Sequence, residues 1–273
     1  MKLRRFTMIL LSLLSLLLWG NASAQFDHQH KAWSELLKKH VVVIDGGKAS
    51  QVRYAALAKD RDALKSYLAS LSKVSEPEFR SWDKEQQLAF LINAYNAHMI
   101  ELILTRYPNL NSVWDFGKIF NNPFKNRFFT LLGRPMHLDN IEHDTIRARG
   151  VFDEPRIHFA VSCASIGCPM LRDEAYVADR LDQQLENQVV QFLSDRSRNR
   201  YNAERNALEV SEIFKWYAED FSSGLKSINS REQFFASYAS LLADHPEHQK
   251  LIRDQKADIR FFGYHWGLND AKR

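Results

Sequence analysis

Two cysteines, ten glycines and seven prolines in 273 residues leave out several classes of protein. So few cysteines exclude a cysteine-rich scaffold, and no paired Cys-x-x-Cys marks a zinc site. No glycine-rich phosphate loop and no Gly-x-Ser-x-Gly elbow are present, which sets aside nucleotide and serine-hydrolase readings. His28-Gln29-His30 and His245-Pro246-Glu247-His248 lie near the chain ends, and Pro246 breaks the helical geometry of a His-Glu-x-x-His zinc pair. No metal and no cofactor are therefore expected. No Gly/Ser-rich or Pro-rich stretch divides the chain, and no internal repeat is visible. Neither charge sign dominates, with 37 basic and 33 acidic residues.

The N-terminus is where one segment stands apart. Met1-Lys2-Leu3-Arg4-Arg5 precedes an apolar run from Met8 to Trp19, followed by Asn21-Ala22-Ser23-Ala24. A basic start, a short apolar stretch and an Ala-x-Ala ending read as a secretory signal cleaved after Ala24. The run falls short of the roughly 20 residues that span a bilayer. Gln25, and not Cys, follows the cleavage point, so no lipid anchor is expected. The expected product is a periplasmic protein with one globular domain over 25–273 and no membrane anchor. Losing Lys2, Arg4 and Arg5 takes the formal charge from +4 to +1. A nearly neutral chain has no electrostatic footprint for nucleic acid.

The rest reads as α+β, mostly helical with a small, largely antiparallel sheet. An entry helix over 26–40 leads to an extended Val41-Val42-Val43-Ile44 and a turn at Asp45-Gly46-Gly47. Helical patterns cover 52–72 and 76–107. The clearest part is 84–107, where Leu88, Leu91, Ile92, Tyr95, Met99, Leu102 and Ile103 keep helical spacing. A loop-rich stretch holds Trp114, Phe116, Phe120, Phe124, Phe128 and Phe129, and a hairpin turns at Gly133. Asp139 and Glu142 suggest a capping box on a helix from Asn140 to about Arg149. Residues 156–163 alternate and read as a strand. A helix over 174–195, a hairpin near 200–210, further helix to about 253 and an aromatic tail complete the chain.

Several motifs together resemble a bacterial and plant family, the domain of unknown function 547. They are Ala89-Phe90-Leu91-Ile92-Asn93-Ala94-Tyr95-Asn96-Ala97, Leu138-Asp139-Asn140-Ile141-Glu142-His143, and the segment from Ile157 to Pro169 with both cysteines. Phe214-Lys215-Trp216-Tyr217, Asp220-Phe221 and Trp266-Gly267-Leu268-Asn269 extend the resemblance over about 40–270. The family often reads Asn where this chain has Ser162, and Asp where it has His265. The resemblance supplies positions and no mechanism.

Two readings of those positions follow. In the first, Cys163 is a nucleophile with His143 as base, Glu142 or Asp139 orienting the imidazole, and Asn96 or His158 assisting. The reaction would be thiol-dependent hydrolysis or acyl transfer on a peptide or envelope amide, on a fold compared with papain or transglutaminase by analogy. Strand alternation sets His158 and Cys163 on opposite faces, so they are not expected to pair. In the second, Cys163 and Cys168 close a disulfide, as an oxidising compartment favours. An aromatic cleft of Tyr95, Trp114, Trp216 and Tyr217 then grips a peptide or glycan without catalysis. Asn96, on the apolar stripe, is expected to clamp a neighbouring loop.

Overall fold

Asp83 starts the helix on which the rest of the chain is assembled. Its carboxylate accepts from Gln86 N at 2.7 Å while the Gln86 side chain accepts from Asp83 N, a complete capping box. The helix it opens, Lys84–Leu104, is buried on nearly every face and not along one stripe. A helix apolar all round belongs at the centre of a fold, with other elements on all sides.

The computed structural model describes residues 25–117 and 121–271. The expected signal segment and Phe120 lie outside the described residues. In chain order the elements are α1 (Lys31–His40), β1 (Val41–Ile44), β2 (Ala49–Val52), α2 (Tyr54–Leu57), α3 (Arg61–Lys73), α4 (Glu76–Ser81) and α5 (Lys84–Leu104). There follow β3 (Phe129–Leu131), β4 (Arg134–Met136), α6 (Leu181–Ser194), β5 (Arg200–Asn202), β6 (Ala207–Ser211) and α7 (Ile213–Trp216). The chain closes with α8 (Arg231–Ser237), α9 (Ala239–Leu242), α10 (Pro246–Arg253) and β7 (Asp258–Phe262). The fold is α+β. Two hairpins, β1–β2 and β3–β4, are antiparallel, and β3–β4 turns at Leu132 and Gly133, both left-handed. The third sheet, β5-β6-β7, pairs β6 antiparallel with β5 and parallel with β7.

Two apolar clusters form. One surrounds α5 with α1, α3 and the first two hairpins; the other gathers Phe159, Phe192, Phe214, Phe221 and Phe234 between α6, β6 and α8. Among the described residues, no helix is long and apolar enough to cross a membrane.

Four expectations need correction. Residues 156–163 are not a strand: Pro155–Phe159 is a 3-10 turn, followed by a bend. Pro155 fixes the first φ, and Glu154 Oε1 accepts from Arg156 N at 3.1 Å, so local chemistry coils the segment. Its apolar residues alternate because they serve two cores: Ile157 packs in the first cluster and Phe159 in the second. The segment after Asp139 is a π-helix, Asn140–Ile146, and Asp139 makes no cap bond with its side chain. The pattern over 76–107 is two helices, α4 and α5, broken between Trp82 and Asp83. The helix expected over 174–195 is confined to α6, and the aromatic tail contributes β7.

Two of the buried histidines, His30 and His98, sit away from any carboxylate partner. His30 meets the Tyr67 hydroxyl at 2.7 Å, and His98 stacks on Phe129 at 3.7 Å. Burial pulls both imidazoles from 6.5 to about 3. The fold keeps them neutral while the unfolded chain protonates them, so their stabilisation is complete above pH 6.5 and falls below it. Urea unfolding at pH 7 and pH 5 should show a loss of about 2 kcal/mol for each ring. A flat profile would mean that both rings are protonated in the folded protein.

Candidate functional site

The cysteine segment is held from two sides. From α5, Asn96 Nδ2 donates to Ala160 O at 2.9 Å and its Oδ1 accepts from Ser162 N at 2.8 Å. Asn93, one turn earlier, grips Tyr176 in the same way. From the tail, Ala164 O accepts from Asn269 N at 3.1 Å, and Ile166 N and Gly167 N donate to Gly267 O and His265 O. A Cβ on Gly167 would stand 2.9 Å from His265 N and 3.0 Å from the Tyr264 ring, so only glycine permits this approach. Between these anchors Cys163 and Cys168 form a disulfide.

The segment lines one wall of a cleft of about 230 Å³. His143, Glu142, His158 and Cys163 all line it, as do Tyr95, Trp114, Trp216 and Tyr217. Asn96 is not in the lining; it positions the loop that is. The helical turn brings His158 and Cys163 to the same cleft, where alternation had set them apart. No hydrogen bond joins them. The outer wall is a run of rings: Trp266 meets Trp114 at 5.1 Å, Trp216 at 5.6 Å and Tyr264 at 4.5 Å. Trp216 keeps 43% of its surface exposed at the rim.

The floor is polar and tightly bonded. His158, with no exposed side-chain surface, places Nε2 2.7 Å from Asp220 Oδ2. Arg147 adds two donors to the same carboxylate, Nε at 2.6 Å and Nη2 at 3.0 Å. Despite burial, His158 and Arg147 hold the Asp220 carboxyl well below its ordinary range. Burial lowers the His158 imidazole even against Asp220. In a neutral His158 the proton thus sits on Nε2, and Nδ1 faces Glu142 Oε1 at 4.0 Å. The His158 ring stacks on Tyr217 at 3.7 Å.

Glu142 does not serve as the helix cap its spacing suggested. It is buried and accepts from the Tyr217 hydroxyl at 2.8 Å. The π-helix causes the difference: Arg147 N reaches back five residues to Glu142 O at 2.9 Å, and the wider turn points the carboxylate inward. Burial, with Glu142 adding repulsion against the relief from His143, raises the Asp139 carboxyl. His143 Nδ1 lies 2.7 Å from Arg147 Nη1. Arginine only donates, so a neutral His143 carries its proton on Nε2 and presents a donor, not a base. The Cys163 sulfur is 3.0 Å from Ser165 Oγ and 3.2 Å from the Tyr264 hydroxyl.

Asp220, Arg147 and Tyr264 were not singled out as site residues from the sequence. Asp220 stands in one of the family-like motifs, which is the signal that could have found it. Among the described residues, no group of three or more His, Cys, Asp or Glu is placed to hold a metal ion.

Replacing Asn96 with Ala leaves a buried carbonyl and a buried N–H without partners, each costing roughly 1–3 kcal/mol. N96A and N93A should both lower the urea midpoint, and only N96A should change the near-ultraviolet circular dichroism of the cleft rings. Equal optical changes in both variants would deny Asn96 its place beneath the cleft.

No curated protein and no solved structure matches the chain, so the papain and transglutaminase comparison carries no argument. Residues 79–193 match the family described as protein of unknown function, DUF547. The matched span carries α5, the π-helix, the cysteine segment and α6, while Tyr217, Asp220 and Tyr264 lie beyond it. Over those residues the chain is similar to that family.

Proposed function

We propose that this protein is exported to the periplasm and binds an extended peptide in the aromatic cleft, as a binding module without acyl-transfer chemistry whose cysteines are bonded. The observation that carries this reading is convergence: Tyr95, Trp114, Trp216 and Tyr217 line one cleft whose wall is the Cys163–Cys168 disulfide. The rim and walls are mostly apolar rings, which suit an apolar peptide side chain better than a hydroxyl-rich sugar. The bonded floor, with the Nε2–H that a neutral His143 presents, fixes orientation and needs no movement to do so. Export supports a lasting disulfide and removes nucleic acid as a partner.

A thiol-dependent hydrolase or acyl transferase is the second reading. The observation that favours it is His158, which lines the same cleft as Cys163 and is bonded behind the cleft wall to Asp220. It requires the disulfide to open first, because a bonded sulfur is no nucleophile. It also requires a base other than His143, whose Nδ1 is occupied by Arg147.

Titration of the purified protein with unfolded peptides rich in Phe and Leu, followed by tryptophan fluorescence, tests the first reading. Trp216→Ala should weaken binding about tenfold, the order of loss that removing a large aromatic contact brings. Binding of N-acetylglucosamine oligomers in place of peptides would move the assignment to a glycan. Peptide binding unchanged in W216A would remove the cleft from the account.

A further inference from the structure

The disulfide staples a loop that is already fastened. Asn96, Asn269, Gly267 and His265 hold backbone groups on both sides of it. Cys163 and Cys168 are only five residues apart, and closing so short a loop removes little chain entropy. A purely structural bridge is therefore least useful here, while its surroundings match what sulfur exchange requires.

The two sulfurs differ in access. Cys163 is partly exposed on the cleft wall, whereas Cys168 is 6% exposed. Each has its own donors. Cys163 N–H points at Cys168 Sγ, 2.8 Å away, and the half-buried Arg198 guanidinium, paired with Asp195, donates to the Cys168 carbonyl. The N–H favours negative charge on Cys168 Sγ when the bond breaks. The hydroxyls of Ser165 and Tyr264 stand beside Cys163 Sγ and can do the same there. Ala164, between them in sequence, is held at φ +60, a left-handed conformation that alanine rarely adopts. Ile166, 44% exposed on the same loop, and Trp216 add apolar surface at the approach.

We infer that the Cys163–Cys168 disulfide is an exchange centre, which oxidises paired cysteine thiols of a peptide held in the cleft. A peptide thiolate attacks Cys163 Sγ, the Cys163–Cys168 bond breaks, and its electron pair leaves on Cys168. A mixed disulfide then joins Cys163 to the peptide. The peptide's second thiolate attacks its own bonded sulfur, and Cys163 departs as a thiolate beside Ser165 and Tyr264. The peptide loses two electrons and two protons, and the protein becomes a dithiol with both. One turnover therefore needs no further oxidant. The peptide as substrate class rests on the cleft reading above; the exchange chemistry does not.

The test mixes the purified oxidised protein with a reduced synthetic peptide carrying two cysteines among Phe and Leu. Acid quenching, alkylation and mass measurement follow the protein thiols. The reference is an oxidised synthetic peptide spanning residues 160–169, which has the same ring without its surroundings. The protein should exchange at least tenfold faster than this ring. C168S, mixed with the oxidised peptide, should trap the mixed disulfide on Cys163, and Tyr264→Phe should slow exchange several-fold. A protein rate at or below that of the ring peptide overturns the inference, whether or not the variants fold. So does trapping on Cys168 in C163S as readily as on Cys163 in C168S. A Ser-for-Cys peptide that binds while exchange stays slow leaves the cleft reading standing and this one fallen. Fast exchange with dithiothreitol and none with the peptide overturns the peptide as substrate.

Discussion

A buried carboxamide with both ends engaged is the constraint on which the site depends. Asn96 sits on a helix surrounded by apolar neighbours, so its donor and acceptor must be matched inside the protein. The partners it finds are Ala160 O and Ser162 N, two residues apart on an irregular segment. One residue on the most deeply buried helix thereby fixes a loop with no regular structure of its own. Asn93 repeats the device at Tyr176. Around this point the two apolar clusters meet, with Ile157 in one and Phe159 in the other. His158, between them, keeps no exposed side-chain surface, and the cysteine segment follows at a fixed distance along the chain.

Charge arrangement completes what packing begins. Asp220 receives donors from His158 and Arg147, and Arg147 in turn engages His143. A single guanidinium thus sets the proton positions on one ring directly and shares the carboxylate that sets them on the other. This geometry depends on the π-helix, whose wider turn points Glu142 inward while Arg147 reaches Asp220. Buried networks of this kind stabilise only when their members are matched, so they tolerate few rearrangements. The aromatic wall is held differently, by ring packing and by the close approach that Gly167 allows.

Much of the scaffold was legible from local pattern. Helical spacing revealed α5, and Gly133 marked the β3–β4 turn, because these depend on neighbours in sequence. The family resemblance stands over 79–193. The segment 156–163 was misread because alternation signals a strand only when one face meets one core. Here Ile157 and Phe159 are both buried, each in a different cluster. Glu142 was misread because capping-box spacing assumes an α-helical turn, and a π-turn turns the same side chain inward. Strand β7 pairs in parallel with β6, a contact made 51 residues along the chain that local periodicity cannot show. Arg147 looks like an ordinary surface charge in sequence, and Asp220 carries only its motif; their meeting across 73 residues gives them a role.

The central claim is that the cleft is bounded by a bonded pair of cysteines, and counting thiols tests it most directly. Purified protein is labelled with a thiol-specific reagent, native and after reduction in denaturant, and the masses are compared. The account predicts no label on Cys163 or Cys168 before reduction and label on both afterwards. A fast-labelling native thiol mapped to Cys163 would contradict it and return the cleft to the nucleophile reading.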